Sequence, residues 1–317
     1  MEKFIVPTLE YLPSYLRALK IAEKEGFPDF VATSQEIEEN PEEFIRKLNL
    51  LDSKECKKVK EWLLPSKLFW LVNTETKKFI GKVSIRYNVG TPYLASLGGH
   101  IGYMVSDKFR KKGYGSKLLK FGLEIAKDIC LGEILIVCNE NNIGSKKIIE
   151  KNGGKLINVI YDESVKMNKL RYRIILNESA HELWKKFLVQ TDDLEIKKQE
   201  FGYICWKFGV NPDELLSLVL MDRKKACTSL YSPEYENIVT DGIYNVILNS
   251  QNKAICVTKN KSLKICDFEN VSEEFAKKEG EGDLSLDYWK KTHEKFFQGD
   301  EKKNSLVLEE FHLVYSI

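Results

Sequence analysis

The part of this 317-residue chain that most restricts its fold lies between residues 100 and 138. Ile134 to Cys138 form a continuous apolar run, which is typical of a strand buried in the centre of a sheet. Before it, Ser116–Ile129 carries apolar residues at helical spacing, which predicts an amphipathic helix. His100–Val105 predicts a further strand ahead of that helix. We therefore expect a central sheet flanked by helices.

The surrounding segments extend this sheet. The first 60 residues are predicted to be mainly helical, with one helix from Tyr11 to Gly26 and a second that starts at Asn40-Pro41. Leu68–Asn73 and Phe79–Tyr87 flank a short polar turn and predict a β-hairpin. After the apolar run, the pattern predicts a short helix (Ser145–Lys151) and strands near residues 156–161 and 170–176.

The pattern resets near residue 177, where a new helix is predicted from Ala180 to Leu188. A chain of this length accommodates about two domains, and 43% hydrophobic with 30% charged residues is ordinary globular composition. We therefore predict one domain at residues 1–176 and another at residues 177–317. The second domain is predicted to contain these elements: a helix at Pro212–Leu220, strands at Tyr244–Leu248, Ala254–Thr258 and Leu306–Tyr315, and a helical stretch from Ser272 to Phe297.

Charge and cysteine content exclude several classes of protein. Forty-nine Lys and Arg against 47 Asp and Glu give a net charge of +2, which argues against a polycation that coats nucleic acid or membranes. The seven cysteines contain no CxxC pair, so neither a disulfide framework nor a metal site is predicted. No apolar run approaches the roughly 18 residues that a membrane span needs. We expect a cytoplasmic protein without a membrane partner.

The turn between residues 105 and 116 carries the strongest local signal. Gly113 and Gly115 permit positive φ angles and close approach of a ligand to the backbone. The amides at the start of the following helix suit a phosphate, and the basic segment Lys108–Lys112 adds positive charge. The spacing matches neither a Walker A loop nor a dinucleotide-binding fingerprint. From the spacing alone, a phosphate site and a solvated basic loop both remain open.

The motif Arg110-Lys-Lys-Gly113-Tyr-Gly115 matches the R/Q-x-x-G-x-G/A pattern of the GNAT acetyltransferase superfamily. The order strand, motif, helix, apolar strand and then Asn139–Ser145 also resembles that family, as does the helix that begins at Lys146. The resemblance covers residues 1–176 and implies acetyl-CoA as the acetyl donor. It implies that the pyrophosphate binds the backbone amides of Arg110, Lys111, Lys112, Gly113, Tyr114, Gly115 and Ser116. It also implies a pantetheine arm beside Met104 and Val105, with Asn139 and Asn142 near the thiol.

Catalysis in this family is direct transfer of the acetyl group to an amine. An ammonium group with a pKa of about 10 must first lose a proton, so a base or a water chain is required. His100 is the candidate base, with a purely structural strand histidine as the alternative. The tyrosine that often protonates the departing thiolate aligns with Ile149, which cannot do so. Tyr103 is predicted to be either a core residue or part of the acceptor wall.

Two clusters stand out in the second domain. Asp222–Leu230 combines basic residues with a thiol and hydroxyls, and Glu279–Asp283 is a short acidic segment with flexible glycines. Residues from about 180 to the end resemble the ASCH domain, a PUA-like β-barrel associated with RNA and modified nucleosides. The resemblance rests on Trp206–Gly209, Asp213–Leu216, Leu218–Leu220, the Lys224 segment, Gly242, Phe275–Trp289, His293 and Phe296-Phe297.

The amidohydrolase branch of that family uses a G-x-K-x-x-T motif and a later glutamate. Position by position, the lysine is Lys224 and the glutamate is Glu279, whereas Asp222 replaces the glycine and Cys227 replaces the threonine. We expect a lowered thiol pKa at Cys227 because two lysines lie nearby in the sequence. An amide hydrolase, a module that binds nucleosides or RNA, and an inactive packing domain remain open. The two departures favour binding over hydrolysis.

Together these observations predict a two-domain α/β protein, in which a GNAT domain with a mixed central sheet precedes a PUA-like barrel. The expected activity is acetyl transfer from acetyl-CoA to the amine of a small molecule or nucleoside. The alternative is a protein that binds RNA or modified nucleosides and whose transferase half is degenerate.

Overall fold

The structure is a computed structural model that describes residues 1–233, 235–239 and 241–317, without the side chain of Lys302. The chain divides into two compact units, Met1–Leu176 and Asn177–Ile317. Both units combine helices with β-strands, which confirms the predicted mixed α/β class.

The first unit contains seven strands and six helices among the described residues. The strands are β1 (Glu2–Ile5), β2 (Ser66–Asn73), β3 (Lys78–Arg86), β4 (Ile101–Val105), β5 (Glu133–Asn139), β6 (Lys155–Asp162) and β7 (Met167–Ile175). The helices are α1 (Leu12–Lys24), α2 (Ser34–Glu39), α3 (Pro41–Asn49), α4 (Cys56–Val59), α5 (Tyr114–Asp128) and α6 (Ile143–Lys151).

The strands of the first unit form two sheets, in the orders β1-β2-β3-β4 and β5-β7-β6. The hairpin of β2 and β3 was predicted from the sequence, whereas β1 was not, because the first 60 residues were expected to be helical. β1 is short and pairs antiparallel with β2, 65 or more residues later, so its conformation depends on long-range pairing. Its Phe4 stacks on Phe121 of α5, with ring centroids 3.7 Å apart.

The core of the first unit is built around large aromatic side chains. Tyr15 of α1 stacks on Trp70 of β2 with ring centroids 4.6 Å apart, and Phe79 of β3 packs edge-on against both rings. α5 packs against β3 and β4, where Gly122 lets the helix approach Val83. A Cβ at Gly122 would lie 3.1 Å from the Val83 side chain. This packing fixes the start of α5 next to the end of β4.

The second unit contains five strands and six helices among the described residues. The strands are β8 (Tyr203–Trp206), β9 (Ala226–Leu230), β10 (Tyr244–Leu248), β11 (Ala254–Cys266) and β12 (Leu306–Ser316). The helices are α7 (Glu178–Gln190), α8 (Leu194–Lys197), α9 (Pro212–Leu220), α10 (Tyr235–Ile238), α11 (Glu273–Glu279) and α12 (Leu286–Phe297).

The strand order of the second unit is β8-β10-β11-β12-β9. β8 runs parallel to β10 and the other pairs are antiparallel. The sequence predicted a barrel, but within the described residues the edge strands β8 and β9 do not pair, so the sheet is open. None of the described helices has the length and apolar character that crossing a lipid bilayer requires.

The helical stretch predicted from Ser272 to Phe297 is interrupted. α11 ends at Glu279, because Gly280 has a φ of +74° in the left-handed region that favours glycine. Gly282 also has a positive φ, and α12 begins only at Leu286. The interruption places the Glu279 carboxylate at the end of a helix and beside the start of β9.

Candidate functional sites

The turn that precedes α5 leaves backbone amides available to a ligand. Gly113 is the N-cap of this 15-residue helix and has a φ of +86°. The first amide with a helical acceptor is that of Lys117, which donates to the Gly113 carbonyl at 3.1 Å. The amides of Tyr114, Gly115 and Ser116 precede it and have no acceptor within the helix. Together with the helix dipole, they make this turn suitable for a phosphate.

The two glycines of the turn have different structural roles. No atom lies within 4 Å of the position that a Cβ would occupy at Gly113, so the space above the turn is open. At Gly115, in contrast, a Cβ would lie 2.5 Å from Cδ1 of Ile148 in α6. Gly115 therefore permits close packing of α5 on α6, and Gly113 permits both the turn and access to it.

The basic side chains of the turn are not equivalent. Arg110 forms a bidentate ion pair with Glu25, which follows α1, with N–O distances of 2.8 and 2.6 Å. Lys112 donates to the Lys108 carbonyl at 3.0 Å, and Lys111 has a positive φ of 60°. The Arg110 guanidinium is therefore already paired with a carboxylate, and the backbone amides are the more open ligands for an anion.

The two sheets of the first unit meet at the start of β4 and diverge toward this turn. The amide of His100 donates to the Leu135 carbonyl at 2.7 Å, and Gly99 forms an isolated bridge with Ile136. Beyond this point β4 belongs to one sheet and β5 to the other. The predicted pantetheine residues Met104 and Val105 lie at the far end of β4, past the point of contact.

Tyr103 and Ser145 connect the two sides of the split. The Tyr103 hydroxyl on β4 lies 2.7 Å from the Ser145 Oγ, near the start of α6, which follows β5. Burial is the main cause that raises the pKa of Tyr103 to about 12, so its phenol holds its proton at neutral pH. Ile149, at the position of the family's usual tyrosine, is fully buried. Sequence reasoning missed the approach of Tyr103 to Ser145.

The asparagines predicted near the thiol are both engaged in hydrogen bonds. Asn142 caps α6, because its Oδ1 accepts from the Ser145 amide at 3.0 Å. Asn139 ends β5, and its Oδ1 accepts from Lys169 Nζ at 2.7 Å. Both residues flank the side of the split formed by β5 and α6. Their roles toward a ligand stay predictions.

His100 lies at the point where the two sheets meet. It is 1% exposed, and its Nδ1 accepts a hydrogen bond from the Leu135 amide at 2.9 Å. Burial, together with the nearby Arg86 guanidinium, lowers the pKa of His100 to about 3. An imidazole with such a pKa is a weak base at neutral pH. The geometry favours the structural alternative, in which His100 joins β4 to β5, and its role as the base stays a prediction.

The low pKa of His100 predicts a pH dependence of stability. As the pH falls below about 6.5, the unfolded imidazole takes up a proton, whereas the folded one stays neutral until about pH 3. The free energy of unfolding should therefore fall by about 1.4 kcal/mol for each pH unit in this window. His100→Asn keeps an acceptor for the Leu135 amide but cannot titrate. Urea denaturation of wild type and His100→Asn from pH 7 to 4 measures the effect. The free energy of unfolding of wild type should fall relative to that of His100→Asn by this amount for each pH unit. A difference that stays constant with pH would contradict the prediction.

In the second unit, Lys224 and Glu279 form a buried ion pair. Lys224 Nζ lies 2.9 Å from Glu279 Oε2 and 2.5 Å from Glu281 Oε1, and both Lys224 and Glu279 are 2% exposed. The ammonium also lies 5.5 Å from the centroid of the Phe208 ring. Burial alone would lower the pKa of Lys224, but the carboxylates of Glu279 and Glu281 raise it above its usual value. Lys224 is therefore charged.

Three further side chains surround the second oxygen of Glu279. Thr228 Oγ1 and Trp289 Nε1 donate to Oε1 at 2.5 and 3.0 Å, and His293 Nε2 lies 3.6 Å away. Burial opposes ionisation, but Lys224, His293 and these donors lower the pKa of Glu279. The predicted pair of Lys224 and Glu279 is thus present. Thr228, Glu281 and Trp289 complete the cluster.

The backbone around this cluster shows how Asp222 is accommodated at the position of the motif's glycine. Asp222 has a φ of +58°, so it adopts the left-handed conformation expected of the motif's glycine. Gly280 is tightly constrained, because a Cβ there would lie 2.4 Å from the Arg223 carbonyl oxygen. The Lys225 amide donates to the Lys278 carbonyl at 2.7 Å and joins the two segments. Asp222 thus adopts, without a glycine, a conformation that glycine would reach at lower cost.

Cys227 differs from the sequence expectation. It lies on β9 directly opposite Glu309 of β12, whose carboxylate interacts with the thiol. Burial is the main cause that raises the pKa of Cys227 well above its usual value, and Glu309 adds to it. The predicted lowering of the thiol pKa is wrong, because the site buries the thiol and sets a carboxylate next to it. The hydroxyl that reaches Glu279 belongs to Thr228, the next residue of the strand, which the sequence reasoning missed.

A small pocket opens beside Glu279. Its lining includes Glu281, Ser285, Tyr288, Trp289 and His293. The rings of Trp289 and His293 stack with centroids 4.1 Å apart and planes inclined by 22°. Gly282 allows the Tyr288 ring to close over the acidic segment, because a Cβ there would lie 2.3 Å from that ring. The pocket combines aromatic walls with a fixed carboxylate.

Two family models match this chain, one within each of its two compact units. Residues 15–155 match the model of the acetyltransferase (GNAT) domain, and residues 204–315 match the model of the ASCH domain. The chain therefore carries a GNAT acetyltransferase domain and an ASCH domain, which confirms the resemblance inferred from its motifs. GNAT acetyltransferases use acetyl-CoA, the donor expected from the sequence. No curated protein matches this chain.

Solved structures show similarity to each part. An ASCH domain from Lactobacillus crispatus is 28% identical, with 44% of this chain and 96% of that chain covered and a TM-score of 0.40. A ribosomal-protein-S5-alanine acetyltransferase from Vibrio fischeri is 16% identical to this chain. The match covers 56% of this chain and 94% of that chain, with a TM-score of 0.42. The microcin C7 self-immunity acetyltransferase, in complex with acetyl-CoA and AMP, is 15% identical, with coverages of 55% and 92% and a TM-score of 0.40.

Proposed function

We propose that the first unit transfers an acetyl group from acetyl-CoA to the amine of a small molecule or nucleoside. The observation that carries the proposal is the open turn at Gly113, at the start of a long helix and beside the split between β4 and β5. The amides of residues 114–116 offer hydrogen bonds to a pyrophosphate, and Lys111 and Lys108 add charge near it. This combination fits a donor with an anionic end and an extended arm.

The reaction requires few groups from the protein. When bound, acetyl-CoA supplies an activated acetyl thioester. Tyr103 holds a proton beside the split and can donate it to a departing thiolate, and Ser145 can pass a replacement proton to it. Since His100 is buried and neutral, we assign to it the positioning of β4 against β5. Removal of the proton from the ammonium then depends on water.

The association with an ASCH domain supports a nucleoside or a small amine as the acceptor in preference to a protein terminus. A panel of amines that includes nucleosides, polyamines and amino acids, with release of free CoA as the readout, tests it. Acetylation of protein N-termini alone would contradict this choice of acceptor.

Tyr103→Phe tests the assignment of the acid. We expect it to lower kcat by about 10- to 100-fold, the range typical of a lost proton donor, and to leave the KM for acetyl-CoA within about twofold of wild type. Tyr172→Phe is the control, because Tyr172 is also buried and its hydroxyl contacts Glu150. Equal rates for the two variants would contradict the role of Tyr103. Absence of both acetyl-CoA binding and transfer in wild type would instead favour the nucleoside-binding alternative with a degenerate transferase.

For the second unit we propose binding of a nucleoside or a short RNA segment rather than amide hydrolysis. The support is the small pocket beside Glu279, at whose edge the partly exposed ring of Tyr288 can stack on a base. Hydrolysis is disfavoured because Lys224 is charged, Glu279 is saturated with hydrogen bonds and the Cys227 thiol is protonated. Calorimetric titration with cytidine and acetylcytidine tests binding, and acetate release that Lys224→Ala abolishes would overturn this choice.

A further inference from the structure

Arg86, at the end of β3, carries a charge that no carboxylate neutralises within the described part of the chain. Its side chain forms one hydrogen bond there, from Nη1 to the Gly99 carbonyl oxygen at 3.0 Å, and no ion pair. Burial lowers the pKa of Arg86, and the one group that opposes this effect, Tyr93, is a phenol and not a carboxylate. A guanidinium stays protonated in proteins even so. Arg86 is therefore available to an anion from outside the chain.

The guanidinium lies beside the place where β4 and β5 meet. The Arg86 amide donates to the His100 carbonyl at 2.9 Å, and the guanidinium is close enough to His100 to contribute to the low pKa of its imidazole. His100 in turn joins β4 to β5 through the Leu135 amide. An anion bound by Arg86 would thus lie at the closed end of the split that we propose as the acetyl-CoA site.

Arg86 and the proposed acid belong to opposite faces of this sheet. Val83 of β3 lies next to Gly122 of α5, and Tyr103, directly opposite Val83 on β4, reaches Ser145 near α6. Alternation along β3 turns Arg86, three residues after Val83, to the other face. An amine held on the face of Arg86 approaches the thioester from the side opposite the acid, so the attacking and the departing group do not compete for one space.

The backbone of β4 is open toward the face of Arg86. Gly102 lies directly opposite Ser84, and the only atom within 4 Å of a Cβ at Gly102 would be the Ser84 Oγ, at 3.3 Å. The two residues of strand from His100 to Gly102 span about 7 Å. A compact acceptor that carries an amine and one acidic group can bridge this distance.

The charges around this face leave room for one negative charge. Lys82, on the same face of β3, pairs with the buried carboxylate of Asp29 and donates to the Tyr15 hydroxyl at 3.2 Å. His100 is neutral at pH 7. Arg86 is left as a single cation, and its planar fork matches the two oxygens of a carboxylate.

We propose that Arg86 binds the carboxylate of the acetyl acceptor, and that the acceptor is therefore a small amino acid-like molecule. The inference rests on the proposed acetyl transfer and narrows its substrate class. The acceptor nitrogen forms the new amide bond as the C–S bond of the thioester breaks. The thiolate takes a proton from Tyr103, and the proton of the amine leaves to water. The carboxylate takes no part in the chemistry and only holds the acceptor.

Amino acids and their amides test this assignment. An amino acid amide keeps the amine and the side chain but lacks the carboxylate, and its ammonium loses a proton more easily, so the chemistry alone favours the amide. With release of free CoA as the readout, we expect kcat/KM of wild type for the best L-amino acid to exceed that for its amide at least about tenfold.

Variants of Arg86 separate binding of the acceptor from support of the fold. Arg86→Gln keeps a donor for the Gly99 carbonyl but removes the charge. It should lower kcat/KM for the amino acid by about 10- to 100-fold, mainly through KM, and leave the value for the amide within about twofold. Arg86→Lys should recover part of the preference. Arg46→Gln, which removes an exposed partner of Glu43 on α3, is the control and should change neither value.

The possible failures are distinguishable. Equal rates of wild type with amino acids and their amides, or equal losses for both in Arg86→Gln, would overturn the assignment and leave acetyl transfer in place. A better rate with phosphoethanolamine than with every amino acid would show that the anion is a phosphate and would also overturn it. No release of CoA with any amine, together with no Tm shift on addition of acetyl-CoA, would remove the proposed function and this inference with it.

Discussion

Lys224→Ala should destabilise the second unit by about 3–5 kcal/mol, the usual cost of leaving a buried carboxylate without its cation. Lys224 is 2% exposed and neutralises Glu279, which is equally buried. Glu281 is partly exposed and can turn to solvent, but Glu279 cannot. Urea denaturation of the full chain, followed by tryptophan fluorescence, measures the loss of stability.

Lys225→Ala is the matched control for this prediction. Lys225 is adjacent in sequence and also pairs with an acid, Asp222, at 2.7 Å, but both side chains are exposed. Exposed pairs contribute little, so we expect a change below about 0.5 kcal/mol. The combination Lys224→Met with Glu279→Gln removes both buried charges and should recover most of the stability. If Lys224→Ala and Lys225→Ala lower the free energy of unfolding by equal amounts, the prediction that the buried pair stabilises the unit more than the exposed pair is wrong.

Gly113→Trp should abolish the response of the protein to acetyl-CoA. Acetyl-CoA at 100 times its dissociation constant stabilises the wild-type fold by about 2.7 kcal/mol, which corresponds to a rise in Tm of about 5–10 °C for a unit of this size. An indole at position 113 fills the open space over the amides of residues 114–116. We expect the affinity to fall at least about 100-fold, so that millimolar acetyl-CoA gives little shift in a scanning fluorimetry experiment.

Backbone strain must be separated from obstruction of the site in that experiment. Gly299 provides the control, because it has nearly the same φ, +93°, and no atom lies within 4 Å of its Cβ position. It follows α12 and belongs to the second unit. Gly299→Trp should introduce similar backbone strain but keep the shift with acetyl-CoA. A normal shift in Gly113→Trp would remove the main support for the acetyl-CoA site.

Local patterns predicted much of the fold. The helix Pro212–Leu220 and the strand Tyr244–Leu248 lie where the sequence placed them, because caps and apolar spacing act over a few residues. β1, β8 and β9 were not predicted, since they depend on pairing between distant segments. A short strand has too few residues for its own periodicity to identify it.

The site in the second unit shows the same limit at the level of single residues. Lys224 and Glu279 were identified from their motif, and the structure brings them together. The motif also pointed to Cys227, but alternation along β9 sends successive side chains to opposite faces. Thr228 therefore reaches Glu279, and Cys227 contacts Glu309. Residue spacing alone predicts neither contact, because it does not show which face of β9 points toward Glu279.

The conformation of Asp222 has a consequence for the detection of related chains. Its φ of +58° shows that the loop before Lys224 takes its shape from the surrounding contacts, even with a side chain at the glycine position. Aspartate and asparagine tolerate this conformation better than most residues. A search pattern that demands glycine here would discard chains that, like this one, reach the left-handed conformation with aspartate. A pattern that accepts glycine, asparagine or aspartate, and then requires Lys224 and Glu279, would retain them.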